Sequence, residues 1–134
     1  MPLDYYARED KKWQELKSRR LNKTGVRRLF GKLAKLLKLK TRIQFAEEHE
    51  AYYLYEDDLI EFGGETYDEL LVVHEVAHAV EYYRTGKIPY KHHNVLHAKI
   101  VDALCGFLLH CDRSGAKLGK GRVRRVKPKN DRAK

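Results

Sequence analysis

Apolar side chains in residues 26–40 recur with the period of an α-helix. They are Val26, Leu29, Phe30, Leu33, Leu36 and Leu37, and most of the positions between them hold Lys or Arg. This pattern predicts an amphipathic basic helix that covers a sheet with its leucine face and exposes its lysines to water. The same pattern is compatible with a helix that lies on a membrane surface. A mixed pattern around Trp13 and Leu16 predicts a further short helix between Tyr5 and Arg20.

The pattern changes after residue 40 to the alternation that is typical of β-strands. Residues 41–45 alternate apolar and polar side chains, and the apolar and aromatic segments Ala-Tyr-Tyr-Leu-Tyr (51–55) and Leu-Ile-Glu-Phe (59–62) also predict strands. The acidic turn at residues 56–58 separates the last two segments, which predicts a hairpin. We therefore expect a small three-stranded sheet. If Leu59–Phe62 lay at the sheet edge, it would bind an extended peptide, because an unpaired strand offers backbone hydrogen bonds.

Two apolar helices follow the predicted sheet. Thr66 and Glu69 have the spacing of a capping box, and Gly86 is a natural helix end, so a helix is predicted from residue 66 to about residue 85. The apolar side chains of this segment lie on nearly all sides of the predicted helix, so we expect the helix to be buried. A second helix is predicted from Asn94 to about Leu109. The order of elements predicts an α+β fold, with N-terminal helices packed on the small sheet and two further helices after it.

The length of 134 residues is that of one small domain. We divide the chain into a basic helical segment (1–25), a folded domain (26–111) and a basic tail (112–134) with too few apolar side chains to fold alone. No stretch approaches the roughly 18 apolar residues that span a bilayer, and charges near the N-terminus argue against a signal peptide. Cys105 and Cys111 are too few for a disulfide scaffold. We expect a cytoplasmic protein with reduced thiols and without a transmembrane segment.

The basic charge is concentrated at the two ends of the chain. Residues 1–40 have 13 basic and 4 acidic side chains, residues 41–110 have 5 and 13, and residues 111–134 have 10 and 2. The net charges of the three parts are therefore +9, −8 and +8. Clustered Lys and Arg bind polyanions by releasing counterions, so the basic termini are candidates for contact with nucleic acid. Solubility alone is the other explanation of such charge.

The most informative residues chemically are His74-Glu75-Val76-Ala77-His78, an H-E-x-x-H pattern inside the first predicted apolar helix. Residues four apart share a helix face, so both imidazoles can reach one ion. Zinc binds neutral imidazoles, and a catalytic zinc needs three protein ligands and an open position for water. The spacing therefore predicts a zinc site with His74 and His78 as ligands and Glu75 as the base that takes a proton from that water.

The third ligand must come from downstream of this motif. A metzincin would need Gly and His where the chain has Glu81 and Arg84. A downstream glutamate ligand is excluded, because no Glu follows Glu81. The remaining candidates for the third ligand are His92, His93 and His97, which lie at the start of the next predicted helix.

The order of elements and these motifs resemble the SprT-like family of minimal zinc metalloproteases. In that family the third ligand is the His of an H-G-x-x-aromatic motif, and His93-Asn94-Val95-Leu96-His97 is similar to it. Asn94 stands in place of the glycine, and His97 in place of the aromatic residue. The resemblance covers residues 26–110 and implies that His93 is the ligand, ahead of His92 in a shifted register and of His97. It also implies a minimal zincin-like fold and peptidase activity.

The leading hypothesis is a zinc-dependent metallopeptidase that hydrolyses peptide bonds through a metal-activated water and Glu75, with nucleic-acid-associated proteins as one class of substrate. Tyr82, Tyr83 and Tyr90 are candidate donors to the oxyanion, although packing is the more ordinary role of a tyrosine. The alternative is a basic nucleic-acid-binding or interaction protein that keeps a structural or vestigial metal site. Nothing in that alternative requires Glu75 beside the ligands.

Overall fold

The computed structural model describes residues 2–47 and 50–114, and this part of the chain has five α-helices and two small sheets. The helices are α1 (Pro2–Lys12), α2 (Gln14–Lys17), α3 (Lys23–Leu37), α4 (Glu69–Thr85) and α5 (Val95–Ser114). The strands are β1 (Arg20–Leu21), β2 (Arg42–Phe45), β3 (Tyr52–Leu54), β4 (Leu59–Phe62) and β5 (Tyr67–Asp68). The predicted α+β class is confirmed.

The larger sheet has the strand order β2-β4-β3. Strand β4 is parallel to β2 and antiparallel to β3, with which it forms the predicted hairpin. The three strands are those expected from the sequence. Leu59–Phe62 does not lie at an edge, because β4 is hydrogen-bonded on both sides and the edges are β2 and β3, so the condition for peptide binding along it is not met.

Asp58 fixes the turn of this hairpin against the rest of the fold. It adopts a left-handed conformation (φ 50°) directly after a 3₁₀ turn at Tyr55–Asp57. Its carboxylate accepts hydrogen bonds from the hydroxyls of Thr41, Tyr53 and Tyr83 at 2.6, 2.8 and 2.5 Å. Burial raises the pKa of Asp58, but these hydrogen bonds and the charge of Arg42 outweigh burial and lower it.

The smaller sheet, β1 with β5, was not predicted. Leu21 pairs with Tyr67 and Arg20 with Asp68, which joins the N-terminal segment to the start of α4. Because residues 67 and 68 are extended, the helix cannot begin before Glu69. Asp68 is its N-cap and accepts a hydrogen bond from the Leu71 amide at 2.8 Å. The capping box that was predicted at Thr66 is therefore wrong.

The other helices differ from the predictions at their ends. Helix α3 begins at Lys23 rather than Val26, because the Asn22 side chain caps it by accepting from the Gly25 amide at 2.8 Å. The helix predicted between Tyr5 and Arg20 is two helices with a break at Trp13. Helix α5 continues to Ser114, five residues beyond the predicted end. Gly86 ends α4 as predicted, with φ 70°.

Helix α4 lies at the centre of the fold and contacts α3, α5 and β3. Its buried side chains include Leu70, Val72, Val73, Val76, Ala77 and Ala79. Helix α3 buries Val26, Phe30 and Leu33 against this core and exposes its lysines, so it is a packing helix as predicted. It packs mainly on α4 and the smaller sheet rather than on the larger sheet, and Leu36 of its predicted apolar face is 55% exposed. None of the helices in the described ranges has the length and apolar composition needed to cross a membrane.

The described residues of the predicted segment 1–25 pack against the rest of the molecule. Leu16 is fully buried, and the Trp13 indole donates a hydrogen bond to Asp102 of α5 at 2.9 Å.

Cys105 and Cys111 are both buried thiols. Residues 115–134, most of the predicted basic tail, lie outside the described residues. The division of the chain at residues 25 and 111 stays a prediction.

Candidate metal centre

Helix α4 brings the two motif histidines together as predicted. His74 and His78 are 4% and 6% exposed, and their ring centroids are 5.0 Å apart. Glu75 is 4% exposed. All three side chains lie within a helix whose other residues are mostly apolar and buried, so they are removed from water on nearly every side.

Helix α5 adds a third buried histidine to this pair. His97 has no solvent exposure, and its ring stacks on the His78 ring with centroids 4.0 Å apart. One nitrogen from each of His74, His78 and His97 lies within 4.8 Å of the other two. These three buried histidines are therefore close enough to bind one metal ion. The sequence comparison placed His97 last among the three candidates, because His97 stands where the family motif has an aromatic packing residue.

His93, the first-ranked third ligand, also reaches the cluster. Its Nε2 atom lies 3.0 Å from Nε2 of His74, and its ring centroid is 5.2 Å from that of His78. His93 is half-buried, whereas His92 is exposed and packs on the Tyr55 ring. The structure thus brings four histidines together in this cluster, His74, His78, His93 and His97.

Asn94 explains why the start of α5 and the loop before it present His97 and His93 to α4. Its side-chain oxygen accepts a hydrogen bond from the His97 amide at 2.8 Å and so caps the helix. Its side-chain nitrogen donates to Glu81 Oε2 of α4 at 3.0 Å. The cap therefore holds the start of α5 against the helix that carries the H-E-x-x-H motif.

Helix α1 contributes three side chains to the same cluster. The Glu9 carboxylate lies 2.8 and 3.1 Å from Nδ1 of His74. The Tyr5 hydroxyl is hydrogen-bonded to Nδ1 of His97, and the Tyr6 hydroxyl lies 3.2 Å from Nε2 of His93. Sequence reasoning missed all three residues. Their spacing indicates only a shared helix face, and nothing local shows which surface that face covers.

These contacts determine which ring nitrogens carry hydrogen. A carboxylate and a carbonyl oxygen only accept, so His74 donates from Nδ1 to Glu9, and His97 donates from Nε2 to the His74 carbonyl at 3.0 Å. In the neutral ring the Nε2 lone pair of His74 then points towards His93. His97 has both nitrogens engaged, since its Nδ1 accepts from Tyr5.

Two polar atoms of the cluster have no such partner. His78 Nδ1 and Glu75 Oε1 are buried and without a hydrogen bond among the described residues. Leaving buried polar atoms unpaired is costly, and a bound cation with its water would remove that cost. Imidazole nitrogens and a carboxylate are donors that zinc accepts, so the residues present fit a zinc ion.

Burial keeps most of these imidazoles neutral, which is the form that binds a metal. It lowers the pKa of His93 to about 4 and that of His97 to about 3, and the charge of His74 adds to both effects. Burial also drives the pKa of His78 far below its ordinary value. Burial likewise lowers the pKa of His74, but the Glu9 hydrogen bond together with the charges of Glu75 and Glu9 outweighs burial, and the net shift is upward.

Burial has the opposite effect on Glu75, because it disfavours the charged carboxylate. It raises the pKa of this side chain to about 7, with the nearby charge of Glu9 adding to the rise and that of His74 opposing it. Glu75 is therefore a stronger base than an exposed glutamate.

The three tyrosines that were candidates for an oxyanion donor do not lie in this cluster. Tyr83 donates to Asp58, Tyr82 packs on the rings of Tyr53 and Tyr55, and Tyr90 is 99% exposed. The tyrosines that reach the histidines come from α1 instead. No protein-family model, no curated protein and no solved structure matches this chain.

Proposed function

We propose that the chain is a zinc-dependent metallopeptidase in which His74, His78 and His93 bind the ion and Glu75 is the general base. The observation that carries this proposal is the buried Glu75 carboxylate, which follows His74 directly and has an oxygen without a hydrogen-bond partner among the described residues. A structural metal site would need the histidines, but it would not need this carboxylate. The zincin-like fold and the resemblance to SprT-like proteases belong to the same proposal.

We favour His93 over His97 as the third ligand because of their hydrogen bonds. Nitrogens bound to one tetrahedral zinc at about 2.0–2.1 Å lie about 3.3–3.4 Å apart. The 3.0 Å between Nε2 of His74 and Nε2 of His93 is close to this value. His97 would have to give up its hydrogen bond to Tyr5 or to the buried His74 carbonyl before it could bind the ion. His93 would give up only its exposed contact with the Tyr6 hydroxyl at 3.2 Å. The partial exposure of His93 also leaves a way for solvent and substrate to approach.

The side chains of the cluster have distinct roles in this mechanism. Bound zinc would polarise the scissile carbonyl and make a coordinated water acidic. Glu75 accepts the proton of the attacking water and later donates it to the leaving amine. The raised pKa of Glu75 favours that proton uptake near neutral pH. His74 is held in place by Glu9, and His93 lies on the side that is open to solvent.

The substrate would bind along β3 rather than along β4. Strand β3 is an edge of the larger sheet and contacts α4, whereas β4 is paired on both sides. An extended peptide can add to an edge strand through backbone hydrogen bonds, which makes binding tolerant of sequence. Tyr55, which follows β3, packs on His92 and so links this edge to the histidine-bearing loop.

The test compares zinc content and hydrolysis of an unstructured protein such as casein for the wild type and Glu75→Gln. We expect one zinc per chain in both proteins. Hydrolysis should fall roughly 100-fold or more in the variant, because general-base catalysis contributes on that scale. The proposal is wrong if the wild type binds no zinc after resupply, or if Glu75→Gln hydrolyses casein as fast as the wild type.

A second proposal concerns the basic face of α3, the exposed side of the helix that carries Lys23, Arg27, Arg28, Lys32 and Lys35. The sequence from Leu16 to Ala46 contains no acidic residue. Lys23 and Arg27 also lie over the Phe45 ring, at 5.4 and 4.9 Å from its centre, which joins the basic face to an aromatic side chain. We propose that this face contacts nucleic acid in the cytoplasm and brings nucleic-acid-associated proteins to the metal centre.

Neutralising Arg27, Arg28 and Lys32 together should weaken binding of a fluorescent DNA duplex at least 10-fold at low salt. It should also reduce the slope of log affinity against log salt, because fewer counterions are released. The matched control removes the same charge by replacing Lys87, Lys91 and Lys99 with alanine. Equal affinity of the two triple variants would contradict a role for α3, and loss of binding on removal of residues 115–134 alone would assign the contact to the tail.

A further inference from the structure

Helix α1 places a carboxylate directly behind the first motif histidine. Both oxygens of Glu9 lie within 3.1 Å of Nδ1 of His74, although 65 residues separate them in sequence. The Glu9 side chain is 9% exposed and the His74 side chain 5% exposed. Water therefore competes little for this contact, and the hydrogen bond is charge-assisted.

The contact fixes two properties of the His74 ring. Because a carboxylate only accepts, the ring hydrogen is held on Nδ1 and the lone pair on Nε2. Because both oxygens lie near the same nitrogen, the ring is also held in one orientation. That orientation places Nε2 of His74 3.0 Å from Nε2 of His93.

Tyr5 and Tyr6 of α1 also contact histidines of the cluster. Tyr5 is hydrogen-bonded to His97 and its ring stacks on His93, with centroids 4.8 Å apart. The Tyr6 ring stacks on His74, with centroids 5.4 Å apart. One face of α1 therefore contacts three of the four clustered histidines, and Glu9 supplies the only carboxylate in hydrogen-bond contact with a histidine of the cluster within the described residues.

We propose that Glu9 is a positioning residue of the metal centre, which holds His74 in the tautomer and orientation that bind zinc. This inference rests on the zinc site of the proposed function, but it does not depend on peptidase activity. Carboxylates that hydrogen-bond a ligating histidine raise metal affinity, and their removal typically weakens it 10- to 100-fold.

The test is the zinc dissociation constant of Glu9→Gln, measured by competition with a chelating dye at constant pH. Glutamine keeps the size of the side chain and an acceptor oxygen, but it lacks the charge. We expect zinc affinity to fall 10- to 100-fold. The matched control is Glu15→Gln, which removes an exposed carboxylate from an ion pair with Arg19 and should leave the affinity unchanged.

A second variant and a stability measurement separate positioning from a merely structural role. Glu9→Asp retains the charge, and we expect its affinity to lie between those of the wild type and Glu9→Gln. Unfolding of each metal-free variant in urea shows whether the fold itself is lost. Wild-type zinc affinity in folded Glu9→Gln would overturn the positioning role alone, whereas no zinc binding in the wild type would overturn the zinc site itself. Positioning would also be overturned if Glu9→Gln and Glu9→Asp lost the same zinc affinity and each loss followed the lost stability of the metal-free protein.

Discussion

Four histidine rings meet at one site, and their hydrogen bonds separate their roles. His97 is bound at both nitrogens, by Tyr5 and by the His74 carbonyl. His78 has an unpartnered buried nitrogen, and His93 presents Nε2 to His74. Distance alone therefore does not identify the ligands, since a histidine that is already satisfied by protein partners gains less from binding an ion.

The third ligand can be identified by comparing His93→Ala with His97→Ala. We expect His93→Ala to lose zinc binding at least 100-fold with little change in stability of the metal-free protein. His97→Ala should retain more of the zinc affinity but lose about 1–3 kcal/mol of stability, because the Tyr5 hydroxyl and a buried carbonyl lose their partner. Zinc titration and urea unfolding measure both effects. If His97→Ala loses zinc binding and His93→Ala retains it, the ligands are the three buried histidines, His74, His78 and His97.

The metal-free protein should lose stability as the pH falls below about 6.5. His78, His93 and His97 have folded pKa values well below their unfolded value of 6.5, so the unfolded chain binds more protons in this range. The contribution of these three histidines to stability is complete above pH 6.5 and is lost progressively towards pH 4 and below. The raised pKa values of Glu75, to about 7, and of His74 oppose this, because the folded chain holds these two protons at a pH where the unfolded chain releases them. The three histidines with lowered pKa values outweigh these two groups.

Urea unfolding in the presence of a chelator, at pH 7.5, 6.5 and 5.5, measures this dependence. We expect a loss of about 2 kcal/mol between the first and the last pH. The variant His97→Asn should show a weaker dependence, whereas the control His110→Asn, at an exposed position, should behave as the wild type. A stability that is constant over this range would contradict burial of neutral imidazoles.

At the scale of the elements, the ends of helices and strands are determined by contacts that a local pattern does not contain. Thr66 and Glu69 fit a capping box, yet α4 begins later because residues 67 and 68 pair with β1. The period of apolar residues correctly predicted the strands of the larger sheet and the core of each long helix. Two-residue strands such as β1 and β5 are too short to show a period, so the sequence could not predict them.

Two glycines should respond to alanine with opposite signs. Gly31 lies on the exposed side of α3, and a Cβ there would meet nothing within 4 Å. We expect Gly31→Ala to stabilise the protein by about 0.5–1 kcal/mol, because alanine favours the helix. Gly86→Ala also has open space, but its φ of 70° is left-handed, so it should cost about 1 kcal/mol. Urea unfolding tests the pair, and equal signs would contradict the backbone explanation.

At the scale of the whole molecule, the candidate site joins segments from both ends of the described chain. The motif His74, Glu75 and His78 could be predicted from sequence, because its spacing depends on one helix. The contribution of α1 could not, because it depends on how a distant helix packs. Lys12 also pairs with Asp102 of α5 at 2.9 Å, which strengthens the same long-range junction.

The predicted domain of residues 26–111 should therefore be unstable without the segment before it. A chain that begins at residue 26 loses Leu16 from the core and β1 from the smaller sheet, and we expect it to lose at least about 3 kcal/mol of stability. A chain that ends at residue 114 is the control, because the sequence predicts few apolar side chains beyond that point. Circular dichroism with urea unfolding compares the two, and a stable chain from residue 26 would contradict this expectation.

The junction between α1 and α5 also sets when the site can form during synthesis. A ribosome produces Glu9 first and His97 among the last described residues, so α1 has no histidines to contact until α5 has emerged. Without α1 and α5, the polar side chains of the motif helix α4 would lack the partners that these two helices supply. A nascent chain therefore has no complete metal centre, and any activity of that centre begins only after the ribosome has translated the segment that forms α5.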